Sequence, residues 1–195
     1  MKKILIATSN KGKFEEYKSY LYPMGFVPVS LEEEGINFTP EEVGKTYLEI
    51  ARNKAKEYSK YTKLPVVAED SGLEIYVFWD FPGVYSDRWM VGTSDQKNEA
   101  ILEKMKGIEY RRATFRVVVV YLHKKEFVHF EGEMSGEISN TAEGVKGSGY
   151  GRIFYIPEKK RTLAQILIFE KNKISHRGKA IQKLASYLKR YKPPA

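Results

Sequence analysis

The alternation of apolar and polar positions predicts short strands and amphipathic helices along the chain. Residues 4–7 form an apolar run that predicts a first strand. The segment after it predicts a helix, because apolar side chains recur there three and four residues apart. One face of this helix carries Phe14, Tyr17 and Leu21, and the opposite face carries Glu15, Glu16 and Lys18.

Further strands and helices follow from the same reasoning. Strands are predicted over residues 26–29, 66–68, 73–78, 113–122, 126–131 and 153–156. Helices are predicted over residues 46–61 and 93–106, and from residue 175 onwards. Thr93 and Gln96 have the spacing of a capping box, and Lys124-Lys125 forms the turn of a long central hairpin. Together these elements predict an α/β fold with a mixed sheet.

The polar turn between the first strand and the first helix is a candidate anion site. It comprises Thr8, Ser9, Asn10, Lys11, Gly12 and Lys13. A helix N-terminus carries unpaired N–H groups and a partial positive charge, so two lysines are unfavourable there unless an anion such as phosphate binds. A solvated turn capped by Asn or Ser is the alternative, and the turn alone does not distinguish the two.

Carboxylates form a second candidate site. Glu69 and Asp70 follow the predicted strand 66–68, at the end of a strand where α/β folds bind ligands. An oxygen-rich site suits Mg²⁺ or Mn²⁺, and Glu42, ahead of the second helix, is a candidate second ligand. Successive strand residues face opposite ways, so only one of Glu69 and Asp70 would reach a given ion. The alternatives are a charged turn over residues 69–72 and, near Glu42, acidic side chains that favour the helix dipole.

The start of the last predicted helix, Ser175-His176-Arg177-Gly178, is a third candidate site. Ser175 is a natural N-cap, but His176 and Arg177 in the first turn are unfavourable for the helix dipole. They indicate an anionic or electron-rich ligand, and a structural histidine is the alternative. The loop 147–151 allows a close approach of backbone to a ligand, yet it matches neither the dinucleotide-binding nor the P-loop pattern.

Length and composition narrow the class of protein. The 195 residues suit a single domain over 1–195 with two lobes, and the absence of cysteine excludes disulfides and thiolate metal sites. The net charge of +8 favours anionic partners, but it is spread along the chain, so nucleic acid is not the expected partner. The apolar run near Met1 is too short for a signal peptide, and no run reaches the roughly 20 residues of a membrane span. We therefore expect a cytoplasmic protein that does not bind membranes.

Five segments, taken together and in this order, resemble the motifs of one enzyme family. They are TSNKGKFEE, EEVGKTYLEIARNKA, AEDSGL, FPGVYSDR and EKNKISHRGKA. These segments resemble the inosine/xanthosine triphosphate pyrophosphatases, which hydrolyse non-standard purine nucleoside triphosphates (ITP, dITP, XTP) to nucleoside monophosphate and pyrophosphate. The resemblance implies an elongated mixed sheet with flanking helices, two lobes around a central substrate cleft, a homodimer, and Mg²⁺ with Mn²⁺ as a substitute.

The resemblance also implies roles for individual residues. Asp70 would bind Mg²⁺ and accept a proton from the attacking water, Glu42 would be a further metal ligand, and Lys13 would be a catalytic cation. The implied substrate-binding residues are Thr8, Ser9, Asn10, Lys11, Gly12, Lys13, Ser71, Ser148, Gly149, Tyr150, Gly151, Lys171, His176 and Arg177. Of these, Lys171, His176 and Arg177 would contact the nucleotide and help to read its 6-oxo group.

One loop departs from the family pattern. Ser148 stands where the family has a Phe that stacks on the base, Gly151 stands where it has an Asp, and Arg152 replaces a Pro. A lost base–aromatic stack is worth roughly 1–3 kcal/mol on the scale of single-stranded nucleic acids. We therefore expect hydrolysis to be retained and base selectivity to be weakened or altered, with Arg152 or Tyr150 as possible substitutes for the stack.

Two other functions remain open at this stage. One is the same pyrophosphohydrolase chemistry with a shifted or relaxed base specificity, as in the Maf-type pyrophosphatases, which share the architecture. The other is a weakly active nucleotide-binding or nucleic-acid-binding protein, for which steeply salt-dependent binding to DNA or RNA would be the evidence.

A smaller departure from the family pattern is Ile50, where Asn is usual.

Overall fold

The computed structural model describes residues 2–145 and 149–190, which form a mixed α/β fold. The strands are β1 (Lys2–Ile6), β2 (Phe26–Val29), β3 (Val66–Ile75), β4 (Phe81–Pro82), β5 (Arg112–His123), β6 (Glu126–Ile138), β7 (Phe154–Ile156) and β8 (Arg161–Thr162). The helices are α1 (Lys11–Leu21), α2 (Tyr47–Ser59), α3 (Ser94–Lys104), α4 (Ile168–Ile174) and α5 (His176–Arg190). Ser148, one of the predicted site residues, lies outside the described residues.

The sheet contains parallel and antiparallel pairs, as the sequence predicts. Its order is β2-β1-β3-β5-β6-β7-β8, and β4 pairs with β3 off this path. Strand β1 is parallel to both β2 and β3, whereas β7 is antiparallel to β6 and β8. The α/β fold class with a mixed sheet is therefore confirmed. Within 2–145 and 149–190, no helix is both long enough and apolar enough to cross a membrane.

The chain divides into two compact units. Unit 1 takes its described residues from 1–70, 117–132 and 177–195, and unit 2 takes them from 71–116 and 133–176. The core of unit 1 packs the apolar stripe of α5, which includes Ile181, Leu184 and Leu188, against side chains of β1 and α1. This stripe has the spacing of an amphipathic helix, so burial of one face explains why the segment is helical. The core of unit 2 contains Leu73, Ile75, Ile101, Met105, Phe115 and Phe154.

Strand β3 differs from the sequence prediction. A turn over 69–72 and a separate strand over 73–78 were expected, but one strand runs from Val66 to Ile75 and a 3₁₀ turn covers Tyr76–Phe78. Strand β3 is hydrogen-bonded to β1 and β5 in the sheet, and Glu74 and Ile75 also pair with β4. Tertiary pairing thus overrides the turn preference of Ser71-Gly72. Strand β6 also extends beyond the prediction, to Ile138, and α4 was not predicted.

Candidate active site

The turn before α1 is built by its own polar side chains. Asn10 is the N-cap, since its Oδ1 accepts a hydrogen bond from the Lys13 backbone N–H at 3.1 Å. The Asn10 backbone N–H in turn donates to Thr8 Oγ1 at 3.2 Å. Ser9, Lys11 and Gly12 are exposed. The capped-turn alternative is therefore part of the structure, and it is compatible with anion binding because the cap occupies only one of the first-turn N–H groups.

A buried ion network lies behind this turn. Arg177 Nε donates to both carboxylate oxygens of Glu69, at 3.1 and 3.0 Å, and Arg177 Nη1 donates to Glu16 Oε2 at 2.7 Å. Tyr17 Oη donates to Glu69 Oε2 at 2.8 Å, and Lys13 Nζ lies 3.1 Å from Glu69 Oε1. Glu16, Glu69 and Arg177 are all buried. We call this group of five side chains the Glu69 network.

Side chains of the Glu69 network shift one another's pKa values. Burial alone would raise the pKa of Glu69, but Arg177 and Lys13 outweigh it and hold this pKa well below its usual range. Burial would lower the pKa of Arg177, and the two carboxylates outweigh it in the same way and raise it. Burial and the neighbouring Glu69 carboxylate raise the pKa of Tyr17. Glu69 and Arg177 are therefore ionised at neutral pH, with Tyr17 as a neutral donor.

A second cluster joins Glu42, Lys54 and Asp70. Lys54 Nζ forms an ion pair with Glu42 Oε1 and donates to Asp70 Oδ1 at 3.2 Å. Asp70 is buried, and its Oδ2 has no hydrogen-bond partner within the part of the chain that the structure describes. Burial raises the pKa of Asp70 to about 6, against the opposing effect of the Lys54 ammonium. The same segment thus carries one permanently ionised carboxylate, Glu69, and one that titrates near neutrality.

The donor atoms of this second cluster fit Mg²⁺. Glu42 and Asp70 each place a hard carboxylate oxygen next to the Lys54 ammonium, and Asp70 Oδ2 is a buried acceptor that lacks a donor among the described residues. Within 2–145 and 149–190 no group of three or more acidic or histidine side chains could hold a metal ion. Mg²⁺ suits such a pair, because it is commonly bound by one or two carboxylates together with waters and phosphate oxygens.

The loop that carries Glu42 is fixed against α2. Gly44 has φ +141°, and a Cβ at this position would lie 2.8 Å from Glu49 Cβ and 3.0 Å from the Ile50 backbone N. Asn53 Nδ2 donates to the Val43 carbonyl at 2.7 Å. The close approach requires glycine, so the loop and the first turn of α2 form one packed element. Ile50 is fully buried in this element, which accounts for an apolar residue where the family pattern has Asn.

In unit 2, the described end of the Gly-rich loop is bonded to α3. We call residues 149–152 the glycine loop. The Gly149 backbone N–H donates to Ser94 Oγ at 3.0 Å, and Arg152 Nη1 donates to Asp95 Oδ1 at 2.7 Å. The Gly151 carbonyl accepts a bond from the Ala164 backbone N–H at 3.0 Å. The glycine loop is thus held by an adjacent helix and by the segment after β8.

Tyr150 points its hydroxyl into the interior of unit 2. Its Oη accepts a hydrogen bond from Trp89 Nε1 and donates to the Ser86 carbonyl, both at 2.6 Å. The residue is 4% exposed, and burial raises the pKa of its hydroxyl to about 12. Tyr150 therefore braces the loop from within and presents no stacking surface, and the Arg152 side chain is paired with Asp95.

The remaining predicted residues lie in both units. His176 is buried and stacks on Phe115, with ring centroids 4.8 Å apart and an interplanar angle of 14°. Ser71 and Lys171 are half-buried in unit 2, the latter on α4. Within unit 1 the structure brings Lys13 together with Arg177 through Glu69, and Glu42 together with Asp70 through Lys54.

Three site residues were missed from the sequence. Glu16 was assigned to the polar face of the first helix, and this is wrong, because it is buried against Arg177. Tyr17 was expected only as a core residue, and Lys54 was not singled out. The one signal available was charge: a buried arginine needs carboxylate partners, and Glu16 lies one turn after Lys13 on the same helix.

Comparison with known proteins places these features in a family. Residues 4–187 match the model of the Ham1 family. The chain belongs to the Ham1 family. Two relatives bear the name dITP/XTP pyrophosphatase: that of Bacillus subtilis is 41% identical, covering 96% of this chain and 98% of the relative, and that of Thermus thermophilus is 38% identical, covering 98% and 94%. The family resemblance and the enzyme class predicted from the sequence are therefore confirmed.

Solved Ham1 structures share the fold. A HAM1 protein from Coxiella burnetii matches with a TM-score of 0.87 at 32% identity, covering 98% of this chain and 100% of that one. The Ham1 protein of Staphylococcus aureus matches with a TM-score of 0.84 at 34% identity, covering 96% and 98%. These matches extend over nearly the whole chain, so they include both units.

Proposed function

We propose that this protein hydrolyses non-standard purine nucleoside triphosphates (ITP, dITP and XTP) to nucleoside monophosphate and pyrophosphate, with Mg²⁺. The observation that carries the proposal is the cluster of Glu42, Lys54 and Asp70. In it, Lys54 lies between two carboxylates, and the buried Asp70 Oδ2 has no hydrogen-bond partner within residues 2–145 and 149–190. Family membership and the names of the relatives give the reaction class.

The triphosphate is assigned to the turn before α1. Thr8, Ser9, Asn10, Lys11 and Gly12 supply polar groups and backbone N–H donors at a helix N-terminus, and the Lys13 ammonium adds a positive charge. Phosphoryl transfer depends mainly on positioning and charge neutralisation, so a cationic turn that is held rigid by its own cap suits the task. Lys13 is oriented by Glu69, at 3.1 Å.

Asp70 is assigned the role of proton acceptor. Its pKa of about 6 makes the carboxylate ionised at neutral pH and still basic enough to take a proton from the attacking water. As that proton moves to Asp70, the water oxygen forms a bond to phosphorus, the bridging bond between the α- and β-phosphates breaks, and pyrophosphate leaves. Glu42 and Asp70 would hold Mg²⁺, which supplies neutralisation of phosphate charge when bound.

The nucleoside is assigned to residues that the family resemblance implies. Ser71, Gly149, Tyr150, Gly151, Lys171, His176 and Arg177 would bind this part of the substrate, together with Ser148, which lies outside the described residues. His176 is held flat by its stack on Phe115, and Arg177 is held by two carboxylates. Such rigid side chains suit the reading of a 6-oxo group, because little freedom is lost when the ligand binds.

A product assay tests the proposal. The purified protein is incubated with Mg²⁺ and each of ITP, XTP, dITP, ATP, GTP, CTP and UTP, and pyrophosphate is resolved from orthophosphate. Pyrophosphate mainly from ITP, dITP and XTP, lost with EDTA and restored by Mg²⁺, is the expected result. Release of orthophosphate alone, or no product from any of these nucleotides, would overturn the proposal.

A relaxed or shifted base specificity is the second candidate function. It is favoured by Gly151, which lacks the side chain that the family pattern has there, and by the burial of Tyr150, whose hydroxyl bonds inside unit 2. Pyrophosphate from a broad set of nucleotides in the same assay would support it. No pyrophosphate, combined with steeply salt-dependent binding to DNA or RNA, would instead support a nucleic-acid-binding protein.

Two further proposals rest on the family resemblance. We propose that the protein is a homodimer and that it is cytoplasmic. Sedimentation equilibrium of the purified protein tests the first, with twice the chain mass of 22.5 kDa as the expected result. Fractionation of the source cells tests the second, and recovery with the membrane pellet would contradict it.

A further inference from the structure

The N-terminal part of α3 contacts the glycine loop at both of its ends. Ser94 Oγ accepts from the Gly149 N–H at 3.0 Å, and Asn98 Nδ2 donates to the Gly149 carbonyl at 3.4 Å. Asp95 Oδ1 accepts from Arg152 Nη1 at 2.7 Å. We call Ser94, Asp95 and Asn98 the α3 clamp. Because its three residues lie within two turns of one helix, they hold the loop as one rigid body.

Asn98 is the buried member of the clamp. It is 1% exposed, and its Oδ1 is a buried acceptor that has no hydrogen-bond partner among the residues that the structure describes. A buried amide with one unused acceptor costs free energy relative to an apolar residue of similar size. The polar residue is therefore better explained by its bond to the loop backbone than by core packing.

The pair of Asp95 and Arg152 is the charged member of the clamp. Their side chains are 32% and 20% exposed, so the pair is partly shielded from water. A partly buried, charge-assisted bond is stronger than one on the open surface. Arg152 stands where the family pattern has Pro, which has no side-chain donor, so the family pattern itself does not include this link.

The capping box at the start of α3 keeps the clamp in place. Thr93 Oγ1 accepts from the Gln96 N–H at 3.2 Å, and Gln96 Oε1 accepts from the Thr93 N–H at 2.7 Å. These reciprocal bonds fix the first turn, which contains Ser94 and Asp95. The glycine loop is thus bonded to a helix end whose first turn is capped.

We propose that the α3 clamp positions the glycine loop and thereby sets the base selectivity of the enzyme, in place of the absent aromatic stack. Ser94, Asp95 and Asn98 are positioning residues, which act through the backbone of the glycine loop and through Arg152. The proposal rests on the proposed function, because it assumes that the glycine loop faces the base. The clamp bonds occupy the Gly149 N–H and carbonyl, so the base is selected by hydrogen bonds to the other loop groups that the clamp holds in position.

The test compares Asp95→Asn, Arg152→Ala and the charge swap Asp95→Arg with Arg152→Asp. Glu103→Gln is the matched control, because Glu103 lies on the same helix and forms an exposed pair with Lys106. The readouts are kcat and KM for ITP and GTP, the equilibrium dissociation constants of both nucleotides, and the Tm. Each single variant is expected to lower the ITP-to-GTP ratio of kcat/KM about tenfold, mainly through KM. The swap is expected to restore most of the ratio, and the control to leave it unchanged.

Two results would overturn the inference. One is an unchanged ITP-to-GTP ratio in both single variants. The other is a loss that affects both nucleotides equally, follows the fall in Tm, and is not restored by the swap. If the unaltered protein releases no pyrophosphate but binds ITP more tightly than GTP, and Asp95→Asn removes that preference, the proposed function fails and the clamp stands.

Discussion

Glu69 and Asp70 are consecutive residues of β3, yet their carboxylates belong to two separate ion clusters. Glu69 contacts Arg177, Lys13 and Tyr17, and Asp70 contacts Lys54. Because side chains alternate along a strand, neighbouring residues face opposite sides of the sheet. The two acids therefore have different partners and different proton affinities.

Asp70→Asn is expected to abolish turnover while leaving the fold intact. The amide cannot accept the proton of the attacking water and is a poorer ligand for Mg²⁺, so kcat should fall by about three orders of magnitude or more. Pyrophosphate release with ITP and Mg²⁺ measures this, with circular dichroism as the control for folding. Near-normal turnover would contradict the role assigned to Asp70.

The same variant is expected to be more stable than the unaltered protein at pH 7.5 without divalent ions. The pKa of Asp70 is raised to about 6 in the folded state, so its ionised form is disfavoured there and its contribution to stability is lost as pH rises from about 4 through 6. The raised pKa, which already includes the attraction to Lys54, corresponds to a cost of up to about 3 kcal/mol, and the uncharged amide would avoid this cost. Thermal unfolding in EDTA at pH 7.5 and at pH 4 checks this, and the difference should vanish at pH 4.

Glu16→Gln is expected to destabilise the fold by about 3 kcal/mol, because it removes one partner of a buried arginine. Glu15→Gln is the matched control: Glu15 is the adjacent residue, exposed, and 3.9 Å from Lys18 in a surface pair. That change should cost less than about 1 kcal/mol. Urea unfolding of both variants measures the difference, and equal stabilities would show that the bond between Glu16 and Arg177 contributes little.

Lys13→Ala is expected to raise the KM for ITP about tenfold or more, with a smaller change in kcat, because the change removes a positive charge assigned to the triphosphate. Lys18→Ala, on the same helix and exposed, is the control and should leave KM unchanged. Steady-state kinetics of the two variants give the comparison. An equal effect of both would indicate only a general dependence on net charge.

Tyr150→Phe is expected to lower stability by about 1–3 kcal/mol and to leave the KM for ITP within about twofold. The change deprives the Trp89 N–H of its acceptor and the Ser86 carbonyl of a donor. Tyr110→Phe, at a residue that is 52% exposed, controls for loss of a hydroxyl. A large rise in KM without a fall in Tm would instead mean that the Tyr150 hydroxyl itself, and not only the rest of the residue, contacts the substrate.

Local signals in the sequence were sufficient for much of the fold. The capping box of Thr93 and Gln96 is present because its bonds lie within four residues. Helix α2 begins after Thr46, whose Oγ1 accepts a hydrogen bond from the Glu49 backbone N–H. In α5, the apolar residues that recur with helical spacing in the sequence are the ones that are buried. Such features depend on neighbours in the chain, which a sequence displays directly.

Features that depend on distant partners could not be predicted in the same way. The side chain of Glu16 is buried against an arginine 161 positions away, and the polar segment of β3 is extended within a strand that is bonded to β1, β4 and β5. Helix α4 follows an apolar stretch in which apolar and polar residues do not recur with helical spacing. The sequence therefore gave no signal for this helix. The candidate site was predicted from motif resemblance, but the ion pairs that Lys54 and Glu69 form within it required the structure.

The tight packing at Gly44 has a consequence for how this sequence can change over time. Gly44 supplies no functional atom, yet any side chain there would collide with Glu49 Cβ and the Ile50 backbone. Displacing the loop would carry Glu42 away from Lys54, so an alanine at 44 would damage the cluster without touching it. In a library of all single substitutions selected for activity, position 44 should therefore be as intolerant as Asp70 itself.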